Sequence, residues 1–323
     1  MSRARVILNP SSGRERGAEN IELLSGRLRE RYADVDMSIT SGDGDAEAAA
    51  VLAVEDGCEA LFVAGGDGTL NGAMNGLASA GVLDRIAVGV IPFGTGNDFA
   101  AALGIPTDAD AALDVLLAGR ELRVDLGEVN GRVFVNTSGG GFIAEVSVAV
   151  TPQLKTIAGR LAYLIGGAQV LMEFEPVGAT ISLDPGGHRL DVGLYTFAVC
   201  NSRSIGGGRL IAPEAVIDDG LLDVCLIESM SAIEFVALAR KVAGGDHVND
   251  PRVIYMQAES LRVDLDRDIK INTDGEVLEG RHCEYRVRPK AARFFVGDAP
   301  AAHEPREARE PREPREPREP REP

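Results

Sequence analysis

Three short apolar segments near the N-terminus each run directly into a turn built from Gly, Ser, Thr, Asn and Asp, and this repetition limits the folds open to the chain. Val6-Ile7-Leu8 leads into Asn9-Pro10-Ser11-Ser12-Gly13, and Leu61-Phe62-Val63-Ala64 into Gly65-Gly66-Asp67-Gly68-Thr69. Ile86 to Ile91 leads into Pro92-Phe93-Gly94-Thr95-Gly96-Asn97-Asp98. Stretches of helical period separate the segments, so the alternation predicts a parallel sheet with right-handed crossovers. Ligands of such sheets bind outside the carboxyl ends of the strands, where all three turns converge. Glycine lets a backbone approach a bulky anion closely. Thr69 can donate to phosphate, and the helix expected from Leu70 to Ala78 would turn its N–H groups toward the same spot. The combination suits polyphosphate, although no G-x-x-x-x-G-K-[ST] loop is present.

The texture divides the chain. Strands are expected near 4–9, 35–40, 60–65 and 86–92, with helices near 17–32, 45–56, 69–80, 96–103 and 108–118. From Glu121 short alternating strands dominate, beginning with Arg123 to Val129 and Arg132 to Thr137, joined by Asn130-Gly131. One amphipathic helix, Lys155 to Glu173, interrupts this antiparallel region. Glu304 to Pro323 repeats Glu-Pro-Arg, which forbids a helix and buries nothing.

Taken in order, Asn9-Pro10-x-Ser12-Gly13, Gly65-Gly66-Asp67-Gly68-Thr69-Leu70-Asn71 and Gly94-Thr95-Gly96-Asn97-Asp98-Phe99-Ala100 resemble the diacylglycerol and sphingosine kinase family. The soluble bacterial lipid kinases of that family are the nearest match. Gly206-Gly207-Gly208, Ala212-Pro213, Asp218-Asp219-Gly220-Leu221 and Asn272-x-Asp274-Gly275-Glu276 extend the resemblance to about Val296. One departure is Gly72, where the family usually carries Glu. The resemblance implies an α/β plus all-β chain: a three-layer α/β catalytic domain of NAD kinase type over 1–120, rejoined by about 290–298, and an antiparallel β-sandwich for the lipid over 121–289. A disordered tail over 299–323 completes the expected organisation.

It also implies ATP as phosphate donor and Mg2+ as cofactor. Nucleotide contacts are expected from Asn9, Pro10, Ser11, Ser12, Gly13, Thr40, Gly65, Gly66, Asp67, Gly68, Thr69, Leu70, Asn71, Gly94, Thr95, Gly96 and Asn97. Phosphoryl transfer needs a carboxylate to take the acceptor's proton. Glu276 is the expected general base, with Asp67 and Asp274 assisting; Asp67 as base is the alternative. Val216 and Leu221 through backbone oxygens, with the Asp219 carboxylate, would hold a second magnesium. The expected acceptor is diacylglycerol, giving phosphatidic acid. A NAD kinase-like enzyme and a regulator without turnover remain as alternatives.

Composition narrows the partners. A net charge of −17 argues against nucleic acid and against broad adhesion to anionic lipid. Arg286-Val287-Arg288-Pro289-Lys290 offers local cations, which are otherwise a solvated strand face. Cys58, Cys200, Cys225 and Cys283 form no C-x-x-C pair and imply no zinc. No long apolar run exists and the first strand starts almost at Met1, so a cytoplasmic enzyme, transiently peripheral to the inner membrane face, is expected. Its partner is a lipid at a membrane surface, and a homodimer is compatible with the reading. Gly139-Gly140-Gly141-Phe142-Ile143-Ala144 fits a dinucleotide pattern but lies among strands, so a strand connection near the interdomain cleft is expected and no cofactor.

Overall fold

The structure, a computed structural model, describes residues 2–12, 17–149, 174–184 and 187–298. Gly13, the expected 155–173 helix and the Glu-Pro-Arg tail lie outside the described residues.

The N-terminal part alternates strand and helix: β1 (Arg3–Leu8), α1 (Gly17–Leu28), β2 (Asp34–Ile39), α2 (Asp45–Glu55), β3 (Ala60–Gly65), α3 (Asp67–Ser79), β4 (Ala87–Pro92), α4 (Asp98–Ala102) and α5 (Ala109–Ala118). The strands are parallel in the order β4-β3-β1-β2. Right-handed crossovers in that order put α2 and α3 on one face and α1 and α5 on the other. The packing agrees, since α2 lies on α3 and α1 on α5. β3 and β4 are buried along their whole length, as a strand covered on both faces must be.

The C-terminal part is sheet-rich. Its strands are β5 (Glu121–Val129), β6 (Arg132–Phe134), β7 (Thr137–Gly141), β8 (Val177–Asp184), β9 (Arg189–Cys200), β10 (Leu222–Glu228), β11 (Val253–Ala258), β12 (Ser260–Thr273) and β13 (Glu276–Phe295). They pair antiparallel around a core that includes Phe134, Phe197, Val224, Val263 and Tyr285. β13 crosses between the two parts, and its end, Arg293 and Phe294, pairs parallel with Ala87 and Val88 of β4.

Several elements differ from the sequence reading. α1 stops at Leu28 rather than near 32, where Tyr32 turns into the core. α3 begins at Asp67, two residues earlier than expected. The expected strand from Arg132 to Thr137 breaks at Val135 and Asn136, whose N–H groups bond the Asp274 carboxylate instead of a neighbouring strand. Helices α6 (Phe142–Ala149) and α7 (Ala232–Val242) were not expected. The Gly139-Gly140-Gly141 run is the central strand β7, sandwiched between β9 and β12; a Cβ on Gly139 would overlap the Phe197 carbonyl.

Candidate active site

β1 is the point where the strand order reverses, and the turns after β1 and β3 flank it. They are fastened together: Asn9 Nδ2 donates to Thr69 Oγ1 at 3.0 Å, and the Ser11 N–H donates to Asn9 Oδ1 at 3.0 Å. The turns after β3 and β4 touch through bare backbone. A Cβ on Gly94 would stand 2.5 Å from Gly66 Cα, a space only glycine leaves open. Asn97 takes a positive φ of 55° and donates from Nδ2 to Gly94 O at 2.7 Å, which closes the third turn ahead of α4.

Asp67 links these turns to the rest. It accepts from the N–H groups of Asp98 (3.2 Å) and Phe99 (3.1 Å), at the start of α4, and from Asn136 Nδ2 (3.1 Å). Burial raises its carboxyl above the usual range, and the Asp98 charge adds to that. Asp98 in turn accepts from the N–H groups of Gly207 (2.9 Å) and Gly208 (2.8 Å), drawing the glycine loop over the rim.

From the C-terminal part comes a hairpin. Thr273 pairs with Glu276, and the two residues between, Asp274 and Gly275, both have positive φ, as a primed two-residue turn demands. The Asp274 carboxylate points inward and accepts from the N–H groups of Val135 (2.6 Å), Asn136 (3.1 Å) and Thr137 (2.9 Å). Burial pushes it up to about 7 against these three donors, with the Asp67 charge contributing. Asn136 therefore joins both acids, by its side chain to Asp67 and by its N–H to Asp274, while its Oδ1 accepts from Ser202 Oγ at 2.6 Å. Glu276 lies outside this cluster and is exposed, and Arg132 Nη2 donates to its Oε2 at 2.8 Å.

The structure thus brings Asn9, Gly65, Gly66, Asp67, Gly68, Thr69, Gly94, Gly96 and Asn97 to one rim, and Asp274 against it. Gly68 lies 3.6 Å from Asp274 O, measured from the position of a Cβ. Thr40 sits at the same edge, its N–H donating to Leu8 O at 2.9 Å. Leu70 is a core residue with its N–H spent on Gly66 O, and Asn71 Nδ2 turns to Thr273 O at 3.5 Å. Sequence reasoning missed Asn136, Asp98, Arg132 and Glu47 as site components. An Asn directly after the apolar run Val133-Phe134-Val135 was a readable signal; Arg132 and Glu47 carried none.

The Val216–Leu221 turn stands apart. Asp125 accepts from the N–H groups of Gly220 and Lys290, both at 2.6 Å. Asp219 accepts from the Leu221 N–H at 3.0 Å, and partial desolvation raises it to about 6, with Asp125 and Asp218 adding charge.

Comparison with known proteins decides the family. Residues 3–129 match the diacylglycerol kinase catalytic domain, and residues 136–296 match the YegS C-terminal NAD kinase beta sandwich-like domain. A diacylglycerol kinase of Bacillus subtilis (strain 168) is 36% identical over 277 residues, 85% of this chain and 90% of that protein. The chain belongs to the diacylglycerol kinase family. It is a lipid kinase, a phosphotransferase with an alcohol group as acceptor. A diacylglycerol kinase of Staphylococcus saprophyticus is 34% identical over 274 residues, 85% of this chain and 88% of that protein. A crystal structure of a diacylglycerol kinase candidate from Bacillus anthracis str. Sterne superposes with a TM-score of 0.77 at 25% identity, over 92% of this chain and 96% of that one. Within the described residues no helix is long and apolar enough to cross a membrane.

Proposed function

We propose that the chain transfers the γ-phosphate of ATP, with magnesium, to the hydroxyl of diacylglycerol in a membrane surface, giving phosphatidic acid. The observation that carries this reading is the meeting of Asp67 and Asp274 through Asn136 beneath the glycine rim. The names of the curated relatives favour diacylglycerol over a soluble nucleotide.

The residues present fit a divalent cation. Asp67, Asp98 and Asp274 are buried or half-buried, and among the described residues no Lys or Arg pairs with any of them. No group of three or more His, Cys, Asp or Glu side chains among those residues is arranged to hold a metal by itself. That suits magnesium, which keeps waters and takes only one or two carboxylates beside substrate phosphates. Asp67 and Asp274 would hold it, and when bound it neutralises charge on the phosphates. Asn9, Ser11, Ser12, Gly66, Gly68, Thr69, Thr95 and Gly96 would hold the phosphates by N–H and hydroxyl donors. Glu276, exposed to an arriving lipid headgroup, takes the proton of the attacking hydroxyl. The carboxylate of Asp219 and the carbonyls of Val216 and Leu221 offer the hard oxygens a second, structural magnesium takes.

The deciding assay is magnesium-dependent transfer of labelled phosphate from ATP to mixed micelles of diacylglycerol or sphingosine, with NAD and a lipid-free control. Labelled phosphatidic acid is expected; label in NAD, or none in any lipid, refutes the reading. Asp67→Asn and Glu276→Gln are each expected to abolish turnover while ATP binding persists. A near-normal rate in either variant removes that residue from the mechanism.

A further inference from the structure

Glu276 is placed by the chain but not oriented by it. The Asp274 nest fixes the turn that precedes it, yet its own side chain is exposed and has three torsions to settle. What holds the carboxylate is Arg132. One terminal nitrogen, Nη2, donates to Glu276 Oε2 at 2.8 Å; the other, Nη1, donates to Glu47 Oε2 at 3.1 Å and Oε1 at 3.3 Å. Among the described residues the Arg132 Nε, though buried, has no partner, so the guanidinium is held by these two acids alone.

Arg132 and Glu47 are both anchored. The residue after Arg132 is tied to α3, because the Val133 N–H donates to Asn75 Oδ1 and Asn75 Nδ2 donates to Val133 O, both at 3.0 Å. Glu47 stands on α2, which seats in a notch of α3 where Gly72 and Gly76 carry no side chain. A Cβ at Gly72 would come within 3.1 Å of Ala46 Cβ, and one at Gly76 would overlap Glu47 O. Position 72 therefore serves the approach of α2, and through it the placement of Glu47.

We propose that Arg132, steadied by Glu47, is a positioning residue that holds Glu276 in its working orientation. This rests on Glu276 acting as the base. A half-exposed ion pair adds little stability, so what this one supplies is geometry. A carboxylate left to rotate spends most of its time away from the acceptor hydroxyl, and loss of alignment alone can slow a reaction by about a hundredfold.

The test is lipid kinase turnover in the full chain. Arg132→Met is expected to lower kcat about tenfold or more with KM for ATP and lipid unchanged, and with an unaltered melting temperature. Arg132→Lys should recover part of the loss, since a point charge reaches one carboxylate but not both in the same geometry. Glu47→Gln should lower kcat in the same direction by less. In a Glu276→Asp background, whose shortened carboxylate no longer reaches the guanidinium, Arg132→Met should cost nothing further. Wild-type kcat in Arg132→Met, or a loss carried undiminished into the Glu276→Asp background, overturns the proposal while leaving Glu276 as base. Full activity in Glu276→Gln removes the base itself, and the positioning role with it.

Discussion

Aspartates are buried in two regions of the molecule, and the surroundings differ in kind. At the cleft, Asp274 accepts from three backbone N–H groups and Asp67 from two, plus the Asn136 amide. In the distal sheet, Asp223 of β10 accepts from Tyr255 Oη at 2.6 Å and Gln257 Nε2 at 3.3 Å. Burial raises Asp274 and Asp223 alike to about 7. The donors separate them. Backbone N–H groups cannot move away, so the cleft acids are fixed in place. Asp223 is enclosed between strands, and its partners are side chains that can follow it into either protonation state. In the proposed mechanism the first arrangement serves a cation; the second settles a polar group in a core.

Removing each acid should expose that difference most. Asp274→Ala strands three buried donors on residues 135–137, at about 1–3 kcal/mol for each unsatisfied group. A loss of roughly 5 kcal/mol, read by urea unfolding, is expected. Asp223→Ala frees a hydroxyl and an amide that can find water or rotate, so its cost should be smaller by about half. Equal losses would mean that the backbone donors at the cleft are satisfied in some other way, and the comparison would fail.

A second, smaller effect is the pH dependence of stability. A carboxyl raised above its unfolded value of about 3.9 leaves the fold fully stable below that pH and weakens it as pH climbs toward the folded value. For Asp274 and Asp223 the window runs from about 4 to 7, with at most about 4 kcal/mol from each. Asp67 acts in the same direction. Magnesium and nucleotide should cancel the cleft's share by favouring its ionised acids, and Asp223→Asn should cancel the distal share. Melting temperatures followed from pH 4 to 7 (about the window above), with and without ligand, separate the two. If ligand flattens the whole profile, Asp223 is not a separate titrating group.

The two regions also differed in how far the sequence disclosed them. The rim was legible because each of its turns is contiguous: a buried strand, then Gly, Asn, Asp or Thr within a few residues, with the parallel sheet aligning the turns. Asp274 and Glu276 were legible as residues but not in their roles. Nothing near them says that one carboxylate turns in to the N–H groups of 135–137 and the next out to Arg132, because those partners lie more than 130 residues away. The interrupted strand at Val135–Asn136 is the same fact seen from the other side. Period-2 alternation predicts ladder bonds, and a carboxylate arriving from β12–β13 took them. Asp223 left no trace in the sequence, being the second residue of a largely apolar strand, Leu222–Glu228.

The smallest expected effect tests whether the cleft's fixed geometry extends to its rim. Gly94 and Gly68 both sit on glycine turns, but only one is pressed against another backbone. A Cβ at Gly94 would lie 2.5 Å from Gly66 Cα and 2.8 Å from Asn97 Oδ1, while a Cβ at Gly68 would meet nothing nearer than Asp274 O at 3.6 Å. Neither residue has a positive φ, so the contrast is one of space rather than backbone strain. Gly94→Ala must part the turns after β3 and β4, at about 1–3 kcal/mol, and it should weaken ATP binding more than it weakens the fold. Gly68→Ala, opening a helix, should leave stability within about 0.5 kcal/mol. Its Cβ would face the space between the rim and Asp274, so any loss should fall on turnover. Calorimetric unfolding and ATP titration of both variants give the comparison directly. If Gly94→Ala is as mild as Gly68→Ala, the rim adapts, and rigidity in the cleft belongs to the acids and their backbone donors alone.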